Sequence, residues 1–185
     1  MKPRRRNLLQ SLAWFVIMFV LFPHTLSFPP VGRSETGNER SRADAAELPG
    51  TREARERMVR EQIFARGIRD PRVLEALRKV PRHRFVPPEM QASAYEDTAL
   101  RIGLGQTISQ PYVVAFVTEA LDLKPKDRVL EIGTVSGYQA ARLSLLAREA
   151  NSIKIVERLG REAEARLKQM GHANVRVRIG DGYRG

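Results

Sequence analysis

Three features of this 185-residue chain predict an α/β fold built on a parallel sheet. Short runs at 128–132, 152–156 and 175–179 carry the β-branched residues of strands. Helical periodicity fills the gaps at 136–148 and 159–170, and Gly171 supplies a helix stop. The first strand passes into its helix through a glycine-punctuated turn, Gly133 to Gly137. Strand–helix–strand alternation with helices of this length requires right-handed crossovers and strands that run parallel, which makes half of a doubly wound fold.

The elements before that core follow in order. Lys2, Arg4, Arg5 and Arg6 precede an almost uncharged apolar run of fifteen residues, Leu8 to Phe22. A membrane span needs about 20 such residues, so the run suits the apolar part of a signal peptide. Thr25-Leu26-Ser27 offers small residues for cleavage after Ser27. Residues 1–27 are therefore expected to be an export signal to the periplasm or cell envelope, or else an uncleaved anchor through which alone the chain would meet a membrane. Residues 28–51 are rich in Pro, Gly, Ser, Arg and Glu; they cannot bury enough surface to offset their ordering entropy and read as a flexible linker.

The folded part is expected over 52–185. Ala54, Met58, Val59 and Ile63 recur at helical spacing, and Gly67 ends that helix. Asp70-Pro71 is an N-cap and N1 pair for a second helix with Val73, Leu74, Leu77 and Val80 on one face, closed by Pro81. Residues 82–110 read as loop. Pro111 then begins a third helix carrying Val114, Val117, Ala120 and Leu121.

Composition narrows the chemistry. Absence of cysteine rules out disulfides, thiolate metal sites and cysteine nucleophiles. His24, His83 and His172 form no ligand pattern and are expected at the surface or at helix ends. The net charge is +11. Without the first 27 residues, 28 basic and 21 acidic residues remain, a balance of +7. Those charges interleave along helices, as in Arg52-Glu53-Ala54-Arg55-Glu56-Arg57, the pattern of a solvated face with local ion pairs. No aromatic-rich strand or recognition helix accompanies them, which argues against nucleic acid as a partner.

Two runs carry chemistry. In Val129-Leu130-Glu131-Ile132-Gly133-Thr134-Val135-Ser136-Gly137-Tyr138, a buried strand ends near an acid and turns into a helix on glycines. Such a turn lets backbone approach a nucleotide-like ligand at a helix start, although glycines also serve plain turn geometry. About twenty residues upstream lies Gly105-Gln106-Thr107-Ile108-Ser109-Gln110-Pro111-Tyr112. Taken alone, Ser109 before Gln110-Pro111 can simply cap the helix that follows.

With Ile179-Gly180-Asp181-Gly182-Tyr183 as a third block, these runs resemble the protein-L-isoaspartate (D-aspartate) O-methyltransferases, repair enzymes that use S-adenosylmethionine. The resemblance covers residues 57 to 185. It implies the Rossmann-like parallel sheet of S-adenosylmethionine-dependent methyltransferases behind an N-terminal helical extension, and carboxyl methylation of L-isoaspartyl residues in damaged proteins. It also implies Ser109 at the catalytic site, against the substrate carboxylate, with Gln106, Thr107 and Ile108 lining the substrate cleft. Glu131, Gly133, Thr134, Ser136 and Gly137 would hold S-adenosyl-L-methionine, and Asp181 with Gly182 would receive its adenine. A cytoplasmic location, usual for the family, is the alternative to export. Methyl transfer to an ionised carboxylate, with a pKa near ~4, needs no general base and no metal; positioning does most of the work.

Three departures accompany the resemblance. Val135 stands at the middle glycine of the family's turn; were a positive φ required there, strain of roughly 1–3 kcal/mol would follow. Lys154 stands where an acid would accept the ribose hydroxyls, and its charge would repel a sulfonium; Glu157 replaces that acid only if the strand extends further. The sheet is expected to be truncated after its third strand, leaving the first a bare edge. Two other readings follow: a non-catalytic relic acting as an envelope peptide-binding protein, and a methyltransferase with a different substrate.

Overall fold

The computed structural model describes residues 19–21 and 48–182. Most of the expected signal segment, nearly all of the linker, His24 and Tyr183 lie outside the described residues. The elements are β1 (Phe19–Leu21), α1 (Thr51–Arg57), α2 (Pro71–Lys79), β2 (Leu100–Gly103), β3 (Gln106–Ile108), α3 (Pro111–Ala120), β4 (Arg128–Ile132), α4 (Tyr138–Leu143), β5 (Glu149–Lys154), α5 (Glu157–Gln169) and β6 (Val175–Ile179). Among the described residues no helix is long and apolar enough to cross a membrane.

The main sheet has the order β1-β4-β5-β6. β4, β5 and β6 run parallel, as the alternation predicts, with Ile132 opposite Ile153 and Lys154 opposite Ile179. β4 is not the bare edge expected: β1 pairs with it antiparallel, Phe19 opposite Glu131 and Leu21 opposite Val129. Backbone groups at a sheet edge seek partners, and part of the N-terminal apolar run supplies them here.

Two boundaries differ from the sequence reading. α4 is about half the expected length, and β5 begins at Glu149 rather than 152. Glu149-Ala150-Asn151 has poor strand propensity. It joins the sheet because Glu149 pairs opposite Arg128, its carboxylate 3.3 Å from that guanidinium and 3.9 Å from Arg176. The segment read as loop contains a hairpin, β2 on β3, whose turn places Gly103, Leu104 and Gly105 at φ of 94°, 51° and 68°.

The N-terminal helices pack on the sheet. α1 continues through a π-helical stretch, Met58–Ile63, which turns Met58, Val59 and Ile63 fully inward, and Gly67 ends it at φ 104°. Asp70 caps α2 as expected, its carboxylate accepting from the Arg72 amide at 2.8 Å. Leu77, Phe85, Tyr138, Leu143 and Leu167 join these helices to the sheet in one core. Two expectations about polar residues fail. Arg55 is buried, donating to the Tyr95 hydroxyl at 3.2 Å, and His83 is buried against the same hydroxyl at 2.7 Å. Tyr95 thus takes up polar groups that the charge pattern assigned to solvent.

Candidate active site

A cavity of about 290 Å³ opens between the β2–β3 hairpin and the C-terminal ends of β4 and β5. In open α/β sheets this is where ligands bind. One wall is Gly105, Gln106, Thr107, Ile108 and Ser109; the other comprises Glu131, Ile132, Gly133, Val135, Ser136, Gly137 and Lys154, with Tyr138 and Gln139 behind. Runs about twenty residues apart in sequence therefore face one space.

The hairpin wall owes its position to a carboxylate that sequence reasoning missed. Asp97 accepts from Gln110 Nε2 at 2.8 Å, from the Tyr112 amide at 3.2 Å and from Arg66 Nη1 at 2.5 Å. It satisfies an orphan amide in the first turn of α3, the task assigned to a cap. No side-chain cap comes from the N-cap residue Gln110 itself. Ser109 makes no side-chain hydrogen bond to a described residue, so it is not the cap, and it is one of the residues lining the cavity. The signal for Asp97 was its place fifteen residues before Tyr112, which no local pattern reveals.

The sheet wall is built on glycines and buried charge. Gly133, at φ 103°, would present an added Cβ to open space, so backbone is all that faces a ligand there. Gly137, at φ 88°, precedes α4; a Cβ on it would lie 3.2 Å from Leu167 Cδ1. Val135 is not at positive φ, which removes the expected backbone strain. Its effect is steric instead, because it lines the cavity.

Glu131 is 3% exposed and accepts from Ser152 Oγ at 2.5 Å. Burial pushes its carboxyl up to about 7, against the lowering pull of the Ser152 bond and of Arg142 and Lys154. Lys154, 5% exposed, donates from Nζ to Gln106 Oε1 at 3.1 Å, tying the sheet wall to the hairpin. Burial holds its amine below the usual lysine range, with Glu131 acting the other way. Arg142, fully buried beside α3, donates to Thr118 Oγ1 at 2.5 Å and to the Val114 carbonyl at 3.2 Å. Ser152 and Arg142 were not singled out in the sequence, since neither lies in a recognisable turn.

The remaining expected site residues fall elsewhere. Thr134 is fully buried and turns to the Ser152 hydroxyl rather than lining the cavity. Asp181 and Gly182 follow β6 outside the lining, although a Cβ on Gly182 would meet Ile132 Cγ2 at 2.7 Å. Glu157 opens α5 and accepts from Arg161 at 2.6 Å; β5 ends at Lys154, so Glu157 does not stand in for the missing acid. Among the described residues no group of three or more His, Asp or Glu side chains is arranged to hold a metal.

Residues 53–185 match the family model described as Protein-L-isoaspartate(D-aspartate) O-methyltransferase. The chain belongs to this family. It is 56% identical over 131 residues to a Protein-L-isoaspartate O-methyltransferase of Picosynechococcus sp., a match covering 71% of this chain and 59% of that protein. Against the protein of the same description from Opitutus terrae, identity is 52% over 155 residues, covering 84% and 63%. The chain thus spans less than two thirds of either relative. Among solved structures, a protein-L-isoaspartate O-methyltransferase superposes with a TM-score of 0.63 at 28% identity, over 70% of this chain and 43% of that one. A Plasmodium falciparum structure, described as a putative member in complex with S-adenosyl-L-homocysteine, gives a TM-score of 0.60 at 22% identity over 70% and 64%, and so speaks for the fold alone. Gly133 and Gly137 of the turn after β4 line the cavity, and Val135 and Lys154 line it with them.

Proposed function

We propose that this chain carries the cofactor half and the Ser109 wall of an S-adenosylmethionine-dependent carboxyl methyltransferase acting on L-isoaspartyl residues of damaged proteins. The observation that carries this reading is the single cavity lined by both Ser109 and the Gly133–Gly137 turn. S-adenosyl-L-methionine, when bound, supplies a methyl group on a sulfonium. Gly133, Ser136, Gly137 and Glu131 fit its binding, because the turn leaves space against bare backbone. Thr134 acts by fixing Ser152 and Gly182 by packing on Ile132, and Asp181 between β6 and Gly182 is proposed to receive the adenine.

The residues of the hairpin wall orient the acceptor. Ser109 Oγ, having no other side-chain partner among the described residues, donates to one oxygen of the isoaspartyl carboxylate and points the other at the methyl carbon. Gln106 is held by Lys154, and Thr107 and Ile108 shape the cleft. With the cofactor held by the sheet wall, its sulfonium would supply the methyl group to the already ionised carboxylate oriented by Ser109, and the C–S electron pair would remain on sulfur. No proton moves, so no base is required. The following backbone amide nitrogen of the substrate then gives up its proton and displaces methanol from the ester, closing a succinimide whose hydrolysis returns part of the chains to aspartate. Methyl transfer to an isoaspartyl peptide, with its aspartyl isomer as control, tests this; transfer to both alike points to a methyltransferase with another substrate.

Val135 and Lys154 in the cavity favour a second reading, a peptide-binding relic without turnover. Isoaspartyl-peptide binding without methyl transfer, in the intact chain and in Val135→Gly, would support it. We further propose that residues 1–27 direct export; the family's usual cytoplasmic location is the alternative. A native N-terminus at or near Phe28 outside the cytoplasm supports export, and an intact Met1 in the cytoplasm overturns it.

A further inference from the structure

Backbone pairing fixes the glycine turn after β4 only at its two ends. The Gly133 and Thr134 amides both donate to the Ile153 carbonyl, at 2.8 and 3.2 Å, and the Ala141 amide of α4 donates to the Gly137 carbonyl at 2.9 Å. Between these anchorages lies the Ser136–Gly137 peptide, whose carbonyl is held by a side chain from another element. Arg166, on α5, donates from Nη1 to the Ser136 oxygen at 2.8 Å. The same guanidinium lies 5.9 Å from the centre of the Phe85 ring, which packs edge-on against Tyr138 at 5.5 Å. α5 itself is seated on the turn, since a Cβ on Gly137 would lie 3.2 Å from Leu167 Cδ1 and 3.4 Å from Ala163 Cβ.

Gly137, at φ 88° and ψ −2°, has the backbone of the third residue of a type II turn. The peptide before such a residue has two orientations, those of type II and type I turns, related by a flip of its plane. Glycine takes positive and negative φ about equally well, so here the backbone alone hardly distinguishes them. A trans peptide carries its carbonyl and its N–H in opposite directions, and no cis peptide occurs among the described residues. We infer that Arg166 is a positioning residue that latches the Ser136–Gly137 peptide in one orientation and thereby fixes the direction of the Gly137 amide on the cavity lining. This role rests on the adenosyl-ligand reading above. Without the guanidinium the two orientations compete, and a ligand that needs one of them binds more weakly by the fraction lost. A hydrogen bond from a charged donor is worth about tenfold in such a balance.

The test uses the full chain with Arg166→Met, which keeps an apolar stem beside Phe85 and removes the donor, and Arg166→Lys, which restores one. NMR of the Gly137 amide and the Ser136 carbonyl reads the latch with no ligand present. Calorimetry with S-adenosylhomocysteine up to millimolar concentration reads its consequence. The Gly137 amide should give one sharp resonance in the parent, shift or broaden in Arg166→Met, and return towards the parent in Arg166→Lys, with β4 and β5 amides unmoved. Affinity for the nucleoside should fall about tenfold in Arg166→Met and recover in Arg166→Lys. Arg166→Gln, whose shorter amide does not reach Ser136, gives the same reading should the methionine variant unfold. An unmoved Gly137 resonance in the folded variant overturns the latch. A moved resonance with unchanged affinity overturns the positioning role and leaves the adenosyl site standing. If the resonance moves but the parent itself does not bind the nucleoside, the adenosyl reading falls and the positioning role falls with it.

Discussion

The two walls of the cavity are stabilised in opposite ways. The hairpin wall pairs backbone only within itself, β2 on β3, and its junction with α3 is held by one partly exposed carboxylate, Asp97, with three partners at hydrogen-bond distance. The sheet wall takes its shape from parallel backbone pairing and encloses ionisable side chains, Glu131 and Lys154, away from water. A wall held by a side chain fails when that side chain changes. A wall held by backbone tolerates replacement of the residues that project from it, so its ligand preference can drift while the fold persists. That is how Val135 can sit in the glycine turn and Lys154 at the end of β5 without backbone strain.

The sharpest way to expose the buried charge of the sheet wall is pH. The Glu131 carboxyl moves from an ordinary 4.5 up to about 7 on folding. Between those values the native state binds the proton that the unfolded chain has released. Glu131 therefore favours folding most below about pH 4.5, loses that advantage as pH rises towards 7, and changes little above it, a total of roughly 3 kcal/mol. Urea unfolding of the chain and of Glu131→Gln across pH 4.5–8 should show the variant gaining on the parent by about that amount as pH rises. Parallel curves would mean that Glu131 ionises freely, and the contrast between the walls would disappear.

The hairpin wall is broken most directly at Asp97. Asp97→Ala orphans the Tyr112 amide, removes the Arg66 ion pair and leaves Gln110 Nε2 only its bond to the residue 97 carbonyl, and should cost about 2 kcal/mol in unfolding free energy. Asp97→Asn keeps an acceptor and should cost about half as much. Loss of amide protection in the first turn of α3, with protection in β4 and β5 unchanged, would locate the damage. Equal loss across the sheet would show that the two walls form one cooperative unit.

What the sequence revealed follows the same division. β4, β6 and the glycine turn after β4 were legible because strand periodicity and glycine punctuation are local. The first three residues of β5 were not, since Glu149-Ala150-Asn151 becomes a strand only through Arg128 and Arg176. The hairpin hid for a similar reason: its turn sets Leu104 in the left-handed region, which no propensity anticipates. Of the residues singled out in the three runs, Gln106 to Ser109, Glu131, Gly133, Ser136 and Gly137 line the cavity while Thr134, Asp181 and Gly182 do not. Asp97, Ser152 and Arg142 support its walls from outside those runs. Their partners are 13 to 31 residues away in sequence. Arg55 and His83 misled because Tyr95 gives buried polar groups a partner that composition cannot reveal.

The smallest expected effect on stability is at Ser109, and its smallness is informative. Were Ser109 the cap of α3, replacing it with alanine would cost roughly 0.5–2 kcal/mol. Asp97 already occupies that role, and the Ser109 hydroxyl has no side-chain partner among the described residues. Ser109→Ala should therefore unfold within about 0.5 kcal/mol of the parent, the range of a substitution that removes no contact. Affinity for an isoaspartyl peptide should fall by about tenfold, the worth of one hydrogen bond to a charged group. The Asp97→Asn variant provides the opposite control, losing stability first and peptide affinity only through it. Should Ser109→Ala instead lower stability by more than about 1 kcal/mol and leave peptide binding untouched, the hydroxyl is structural. The reacting carboxylate would then have to be oriented by Thr107 or Gln106, the remaining polar side chains of the hairpin wall.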